Sequence, residues 1–173
     1  VQCGMGRTGA LFAHQQAGVI PDIVTAAKGI GGGFPLAACL TTDKVAAAMT
    51  PGSHGSTYGS NPLAMAVGNA VLDVLLAPGF FERVTMTGAL LENGLRQLVS
   101  DYPKLLAEVR GAGLMLGLQT RVPATAFAEK LRAARLLTAP AEDSVIRITP
   151  PLIIERPHVE EALQLLRQVC KEW

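Results

Sequence analysis

The sequence predicts a mixed α/β chain that ends in a smaller α+β domain, and three observations carry that expectation. Between Val1 and Thr41, short apolar runs alternate with glycine-rich loops, as buried strands do when tight turns separate them. A small-residue helical stretch follows Asn61 and leads, past Pro78-Gly79, into a long amphipathic helix. Beyond Pro103, strand-like and helix-like segments alternate to the C-terminus. The 173 residues suffice for one compact domain or two small ones. The expected division is 1–78 as part of a large domain, 79–102 as a linking helix and 103–173 as a small α+β domain.

In order, Val1-Gln2-Cys3 reads as the end of a buried strand, and Gly4 to Gly9 as a glycine-rich loop. Leu11 to Ala17 predicts a short helix stopped by Gly18. Ile23 to Ala27 and Phe34 to Thr41 predict buried strands, and Lys44 to Met49 a short Ala-rich helix. Pro51 to Ser60 is a polar loop. Asn61 and Pro62 suit the cap and first turn of a helix reaching about Leu76, apolar nearly all round and hence expected to be buried. Val84, Leu91, Leu95 and Leu98 recur at helical spacing from about Phe81 to Ser100. Strands are then expected at Leu106–Val109 and Leu114–Gln119 around an Arg110–Gly113 turn, and at Leu136–Thr138 and Val145–Ile148. Helices are expected at Ala124–Ala134 and from Pro157 onward, the last burying Val159, Leu163, Leu166 and Cys170.

Composition narrows the function classes. Nearly half the residues are hydrophobic and few are charged, so a sizeable core forms and disorder is disfavoured. A net charge of +1 without a basic run gives no footprint for nucleic acid or an anionic membrane. Polar or glycine residues interrupt every apolar stretch before it could span a bilayer. Cys3, Cys39 and Cys170 lack metal-ligand spacing and read as reduced, buried thiols of a cytoplasmic protein. The chain opens at Val1 inside a motif and shows no signal-peptide pattern, so a piece of a longer protein is expected.

The chemistry centres on Lys28-Gly29-Ile30-Gly31-Gly32-Gly33. A lysine in an apolar setting can give up its proton and attack a carbonyl, and glycines let the backbone approach a planar group. A phosphate-binding P-loop needs its glycines before the lysine, and here they follow it. Ser56 and Thr57, in a glycine-flanked loop, could hold an anion through hydroxyl and backbone N–H groups or could simply form a turn. Arg147, between Ile146 and Ile148, could fork onto a carboxylate ligand or pair with Glu142 or Asp143. Gln2 could cap the loop that follows it. His54 lies beside the Ser-Thr loop, while His14 and His158 suit helix surfaces or caps. The histidines have no metal-ligand spacing, and no carboxylate pair suggests a hydrolase.

Four stretches match a known pattern in order and approximate spacing: Val1-Gln2-Cys3-Gly4-Met5-Gly6-Arg7-Thr8-Gly9, Pro21-Asp22-Ile23, Ala27-Lys28-Gly29-Ile30-Gly31-Gly32-Gly33-Phe34-Pro35 and His54-Gly55-Ser56-Thr57-Tyr58-Gly59-Ser60-Asn61-Pro62. Ile146-Arg147-Ile148-Thr149-Pro150-Pro151-Leu152 extends the match. Together they resemble the class III pyridoxal-phosphate aminotransferases. The resemblance implies the C-terminal half of a fold-type I transferase: part of the large α/β domain plus the small α+β domain. It places Lys28 at the Schiff-base position and Val1 and Gln2 at the cofactor ring, with Gln2 toward its phenolic oxygen. It assigns Thr57 to the phosphate of the cofactor in a partner subunit, Ser56 to that subunit's substrate, and Arg147 to the substrate α-carboxylate. A homodimer with shared active sites follows. The family's ring-nitrogen aspartate falls before Val1, so activity is expected of a longer parent.

The nearest pattern within the family implies ping-pong transfer of an amino group between N-acetylornithine and 2-oxoglutarate, in cytoplasmic arginine biosynthesis. Ornithine, succinylornithine or 4-aminobutyrate are the alternative donors, and a truncated, non-catalytic piece is the other reading.

Overall fold

The computed structural model describes residues 1–142 and 144–173. The chain forms two compact units, Val1–Phe81 and Glu82–Trp173.

In the first unit, residues 1–3 are irregular, with Val1 and Gln2 exposed. The expected strand end is absent because no strand among the described residues pairs with it. The Gly4–Gly9 loop folds back on itself, with the Met5 N–H donating to the Leu11 carbonyl at 2.6 Å, and Met5 is buried. Helix α1 (Ala13–Gln16) ends before Gly18, whose φ of +66° turns the chain. Strands β1 (Ile23–Ala26) and β2 (Ala38–Thr41) pair antiparallel, with Ile23 opposite Thr41 and Ala26 opposite Ala38. Strand β2 is half the length expected and is not buried, and Cys39 is exposed rather than internal. Pro35, with no N–H to give to a ladder, lies in the irregular segment before it. Helix α2 spans Asp43–Ala46.

Helix α3 (Pro62–Leu75) begins where its cap predicts: the Asn61 side chain accepts the Ala64 N–H at 2.9 Å. Its burial departs from expectation. Only Ala64, Gly68 and Leu75 are buried, while Leu63 is 63% exposed and Val74 56%. A two-stranded sheet with short connecting turns is too small to surround fourteen residues of helix.

All but the first two residues of α4 (Phe80–Asp101) belong to the second unit, where Val84, Leu91, Leu95 and Leu98 are buried. An antiparallel sheet follows, with strands β3 (Leu106–Ala112), β4 (Met115–Thr120), β5 (Ala139–Ala141) and β6 (Val145–Ile148) in the order β3-β4-β6-β5. The β3–β4 turn is tighter than expected. Ala112 pairs with Met115, so Gly113-Leu114 forms a two-residue hairpin loop with Gly113 at φ +55°. Helix α5 covers Ala124–Ala133 and α6 covers Arg156–Lys171.

One face of the sheet (Val109, Leu116, Leu118, Ile146) joins Phe127 and Leu131 of α5 and Val159, Leu166 and Cys170 of α6 in the core. Leu163, expected in that core, is half-buried. The strand expected at Leu136–Thr138 lies three residues later, at Ala139–Ala141. Its central Pro140 is tolerated because β5 is an edge strand. Among the described residues, no single helix is long and apolar enough to cross a membrane.

Candidate active site

Lys28 opens a 3₁₀ turn, Lys28–Gly31, that follows β1 after the extended residue Ala27. Its own φ is +52°, a left-handed conformation that a lysine rarely adopts. Backbone bonds from Gly32 N–H to the Gly29 carbonyl (3.1 Å) and from Phe34 N–H to the Gly31 carbonyl (2.8 Å) close the turn. Neighbours fix it from two sides. A methyl group placed on Gly29 would stand 3.0 Å from Met5 Cβ, and one on Gly32, itself at φ +55°, would stand 2.8 Å from Val71 Cγ2 of α3. The turn is therefore wedged between the Gly4–Gly9 loop and α3, and glycine is required at position 32 by both space and backbone. Gly33, at φ +115°, faces open space.

The apolar burial expected of Lys28 is not found: its side chain is exposed, because the glycines around it offer no side chains to cover the stem. Among the described residues, the Lys28 amine has no ion pair.

Ser56 and Thr57 are exposed in the loop before α3. The Gly59 N–H donates to the Ser56 carbonyl at 3.2 Å, and Asn61 Nδ2 donates to the Tyr58 carbonyl at 2.8 Å. Asn61 thus ties the Ser-Thr loop to the helix that it also caps. His54 is exposed in the same loop. Val1 and Gln2 precede the loop whose Met5 touches the Lys28 turn. Leu36 adds a third support, since a methyl group on Gly31 would stand 3.2 Å from its Cβ, and sequence reasoning missed Met5, Leu36 and Val71 alike as buttresses. Only the unusual density of glycines around them hinted that something must pack closely there.

Arg147 belongs to the second unit. It lies on β6 between Val145 and Thr149 and is half-buried. It lines a cavity of about 410 Å³ whose other walls are mostly apolar, including Leu91, Ile148, Ile154 and Leu166. Thr138, whose Oγ1 is buried with no hydrogen-bond partner among the described residues, also lines it. His158 is at the same wall and its Nδ1 accepts the Glu155 N–H at 3.1 Å, capping α6 as expected. Among the described residues Arg147 makes no ion pair with Glu142 or any other carboxylate; Asp143 lies outside those residues. Buried Cys170 has its thiol pushed up to about 11 by desolvation, partly opposed by Arg167.

The groups of the first unit fit pyridoxal phosphate by chemistry. There is an amine with no ion pair among the described residues for its aldehyde, an amide and open space above Gly33 for its ring, and hydroxyl-bearing turn residues for an anion.

Comparison with known proteins agrees. The sequence profile of the family described as Aminotransferase class-III matches residues 1–170. The acetylornithine aminotransferase of Mesorhizobium japonicum is 53% identical over 171 residues, which is 99% of this chain and 43% of that protein. The acetylornithine aminotransferase structure from Elizabethkingia anophelis superposes with a TM-score of 0.94 at 32% identity, over 100% of this chain and 44% of that one. An ornithine aminotransferase from Toxoplasma gondii, described as showing partial occupancy of PLP at its active site, superposes at 0.91 with 31% identity, over 98% and 41%. The chain thus spans less than half the length of the relatives it matches. Its mixed α/β architecture is that of the fold-type I enzymes among which these neighbours fall. A profile match over nearly every residue and a shared backbone together make the chain a member of the class III aminotransferases.

Proposed function

We propose that the protein carrying this chain is a pyridoxal-phosphate-dependent aminotransferase that transfers an amino group between N-acetylornithine and 2-oxoglutarate. The observation that carries the reading is Lys28: an amine with no ion pair among the described residues, on a left-handed backbone clamped by a glycine turn, in a chain about half identical to acetylornithine aminotransferases.

Pyridoxal phosphate, when bound, supplies an aldehyde and a ring that draws electrons from the substrate's α-carbon. Lys28 Nζ is the amine that holds the aldehyde. When not holding the aldehyde, Lys28 Nζ would be the group that accepts the α-carbon proton and returns it. The short wedged turn keeps that amine on a fixed arc, which is what positioning requires. Val1 and Gln2 stand for the ring edge, with the Gln2 amide donating to its phenolic oxygen. Thr57 and its loop N–H groups hold phosphate, and Ser56 meets substrate, across a homodimer interface that shares active sites. Arg147 offers two parallel N–H donors to the α-carboxylate.

In this reading residues 1–78 are part of the cofactor-binding domain, 79–102 link, and 103–173 form the small domain. The reaction belongs to arginine biosynthesis in the cytoplasm.

A borohydride trap tests the central claim. The protein carrying this chain is mixed with pyridoxal phosphate, reduced and digested, and the modified lysine is mapped by mass spectrometry. Label on Lys28, above Lys44, Lys104, Lys130 and Lys171, supports the assignment; failure to mark Lys28 overturns it. Donor choice is settled by comparing rates with N-acetylornithine, ornithine, succinylornithine and 4-aminobutyrate. A preference for free ornithine would move the protein to the ornithine branch.

A further inference from the structure

The amine of Lys28 is placed by backbone, not by packing of its own stem. The side chain is exposed, so the reach of Nζ is set by the turn that carries it. Met5 stands against that turn. A methyl group built on Gly29, the residue after Lys28, would stand 3.0 Å from Met5 Cβ and 3.5 Å from its Cγ. Among the described residues, Met5 supplies every contact within 4 Å that such a methyl would make beyond the neighbours of Gly29 in the chain.

Met5 is an unusual residue at its own position. It lies between Gly4 and Gly6 at φ +56°, a left-handed backbone that glycine holds without steric cost. Burial of its side chain, only 4% exposed, offsets that cost. Its place is pinned. The Met5 and Gly6 N–H groups both donate to the Leu11 carbonyl, at 2.6 and 3.4 Å, and Gln16 Nε2 donates to the Thr8 carbonyl at 2.7 Å, which ties the loop to α1. Met5 follows Gln2 by three residues, at most about 10 Å of chain. One short segment thus carries both the residues read as the ring edge and the side chain that backs the lysine turn.

We propose that Met5 is a positioning residue for Lys28: its side chain backs Gly29 and so fixes the reach of Nζ toward the Val1-Gln2 segment. The inference rests on the reading of Lys28 as the amine that holds the cofactor, and adds what holds the amine. A thioether has no proton to give or take, so Met5 acts by contact alone. Without that arm, the Gly4–Gly9 loop no longer fills the space beside Gly29, and the turn gains room to move toward it. Val71 and Leu36 still back Gly32 and Gly31 at the far end of the turn, so the freedom falls on Lys28 and Gly29. A shift of about 1 Å in a reacting group costs up to roughly a hundredfold in rate. Leucine, apolar and of similar volume, should do the same work.

The test compares Met5→Ala and Met5→Leu with the parent in the full-length protein that carries this chain. The first readout is the rate at which pyridoxal phosphate and borohydride mark Lys28, with exposed Lys44 as the reference in the same digest. The second, on cofactor-free protein, is amide exchange at Gly32 and Phe34, whose N–H groups close the turn, with α3 as the reference. The third is kcat and KM with N-acetylornithine. In Met5→Ala, Lys28 marking and kcat should fall roughly tenfold or more, with Lys44 marking and KM nearly unchanged, and exchange should quicken in the turn but not in α3. Met5→Leu should lie within about twofold of the parent. Gly29→Ala, at a backbone that is not left-handed, presses on the same contact from the other side without opening a cavity. It should also slow Lys28 marking, and it carries the test if Met5→Ala fails to fold. Marking at the parent rate in both Met5→Ala and Gly29→Ala overturns the proposal. So does a loss that Met5→Leu does not restore, or one in which α3 exchange quickens as much as the turn's; either would make Met5 a support of the whole unit. If the parent itself is not marked at Lys28 while the turn alone loosens in Met5→Ala, the proposed function falls and the Met5 contact stands.

Discussion

Replacing Gly88 by alanine sets two effects of opposite sign against each other on one helix. Gly88 lies inside α4, where alanine is favoured over glycine by about 1 kcal/mol. The added methyl, however, would stand 2.7 Å from both the carbonyl carbon and oxygen of Gly113, and 2.9 Å from its Cα. Those atoms are backbone, at the first position of a two-residue hairpin turn, and cannot rotate away as the end of a side chain can. Relief requires α4 to lift from the β3–β4 turn, an overpacking penalty of about 1–3 kcal/mol. Backbone contact places it in the upper half of that range, so the expected net loss is roughly 1–2 kcal/mol after the helix gain. Gly68→Ala in α3, in the first unit, is the contrast: its methyl would meet only Leu36 Cδ2, at 2.9 Å, which can swing aside, so amide exchange along α3 should not quicken. Urea unfolding followed by Trp173 emission reads the second unit, since the chain's one tryptophan packs on Phe127 with ring centroids 5.6 Å apart. A lowered midpoint at unchanged slope is expected for Gly88→Ala. A midpoint at or above that of the parent would show that the hairpin turn yields freely, and would refute the close-packing argument.

Other expectations follow from the same structure. Phe127→Ala removes a fully buried ring and should destabilise the second unit by about 3–5 kcal/mol, and should also shift Trp173 emission in the folded protein; a loss under about 1 kcal/mol would contradict its place in the core. Asn61→Ala removes the α3 cap and the tie to Tyr58, with a loss of about 1 kcal/mol and faster amide exchange at Ala64, and unchanged exchange there would count against the cap. Cys39, exposed, should alkylate at neutral pH well before Cys170, whose thiol is held protonated by burial; equal rates by mass spectrometry would contradict that burial. Because the folded thiol of Cys170 titrates near 11, above its unfolded value, its contribution to stability is complete below the unfolded pKa and is lost as pH rises through about 11. Replacing Cys170 by alanine should flatten the alkaline fall in the unfolding midpoint, and an unflattened profile would assign that fall to other groups.

The elements most legible in the sequence were those whose signals are local. Asn61-Pro62 fixed the start of α3, the Val84–Leu98 spacing marked α4, and Val145–Ile148 matched β6 residue for residue. What escaped depended on partners. Val1–Cys3 has strand composition but no strand among the described residues pairs with it. Ala139-Pro140-Ala141 has poor strand composition and becomes β5 only because β6 offers an edge. The apolar circumference of α3 reads as burial, yet burial needs neighbours, and the first unit supplies few. In the candidate site, Lys28 and Arg147 were visible by residue type and setting. Their surroundings were not: an exposed amine at Lys28, a buttress at Met5 and an apolar cavity beside Arg147 are facts of packing.

The left-handed backbone of Lys28 has an evolutionary corollary. A lysine at that φ gives up roughly 1 kcal/mol or more relative to glycine, which occupies the region freely. Selection acting on folding alone would therefore drift position 28 toward glycine, and Lys28→Gly should raise the thermal midpoint of the first unit while removing the amine proposed for the chemistry. A lysine retained there against that drift is maintained by use, so a copy of this gene released from function should lose the amine early and become more heat-resistant as it does so. A lower midpoint for Lys28→Gly would mean that the lysine stem makes a stabilising contact that outweighs its backbone.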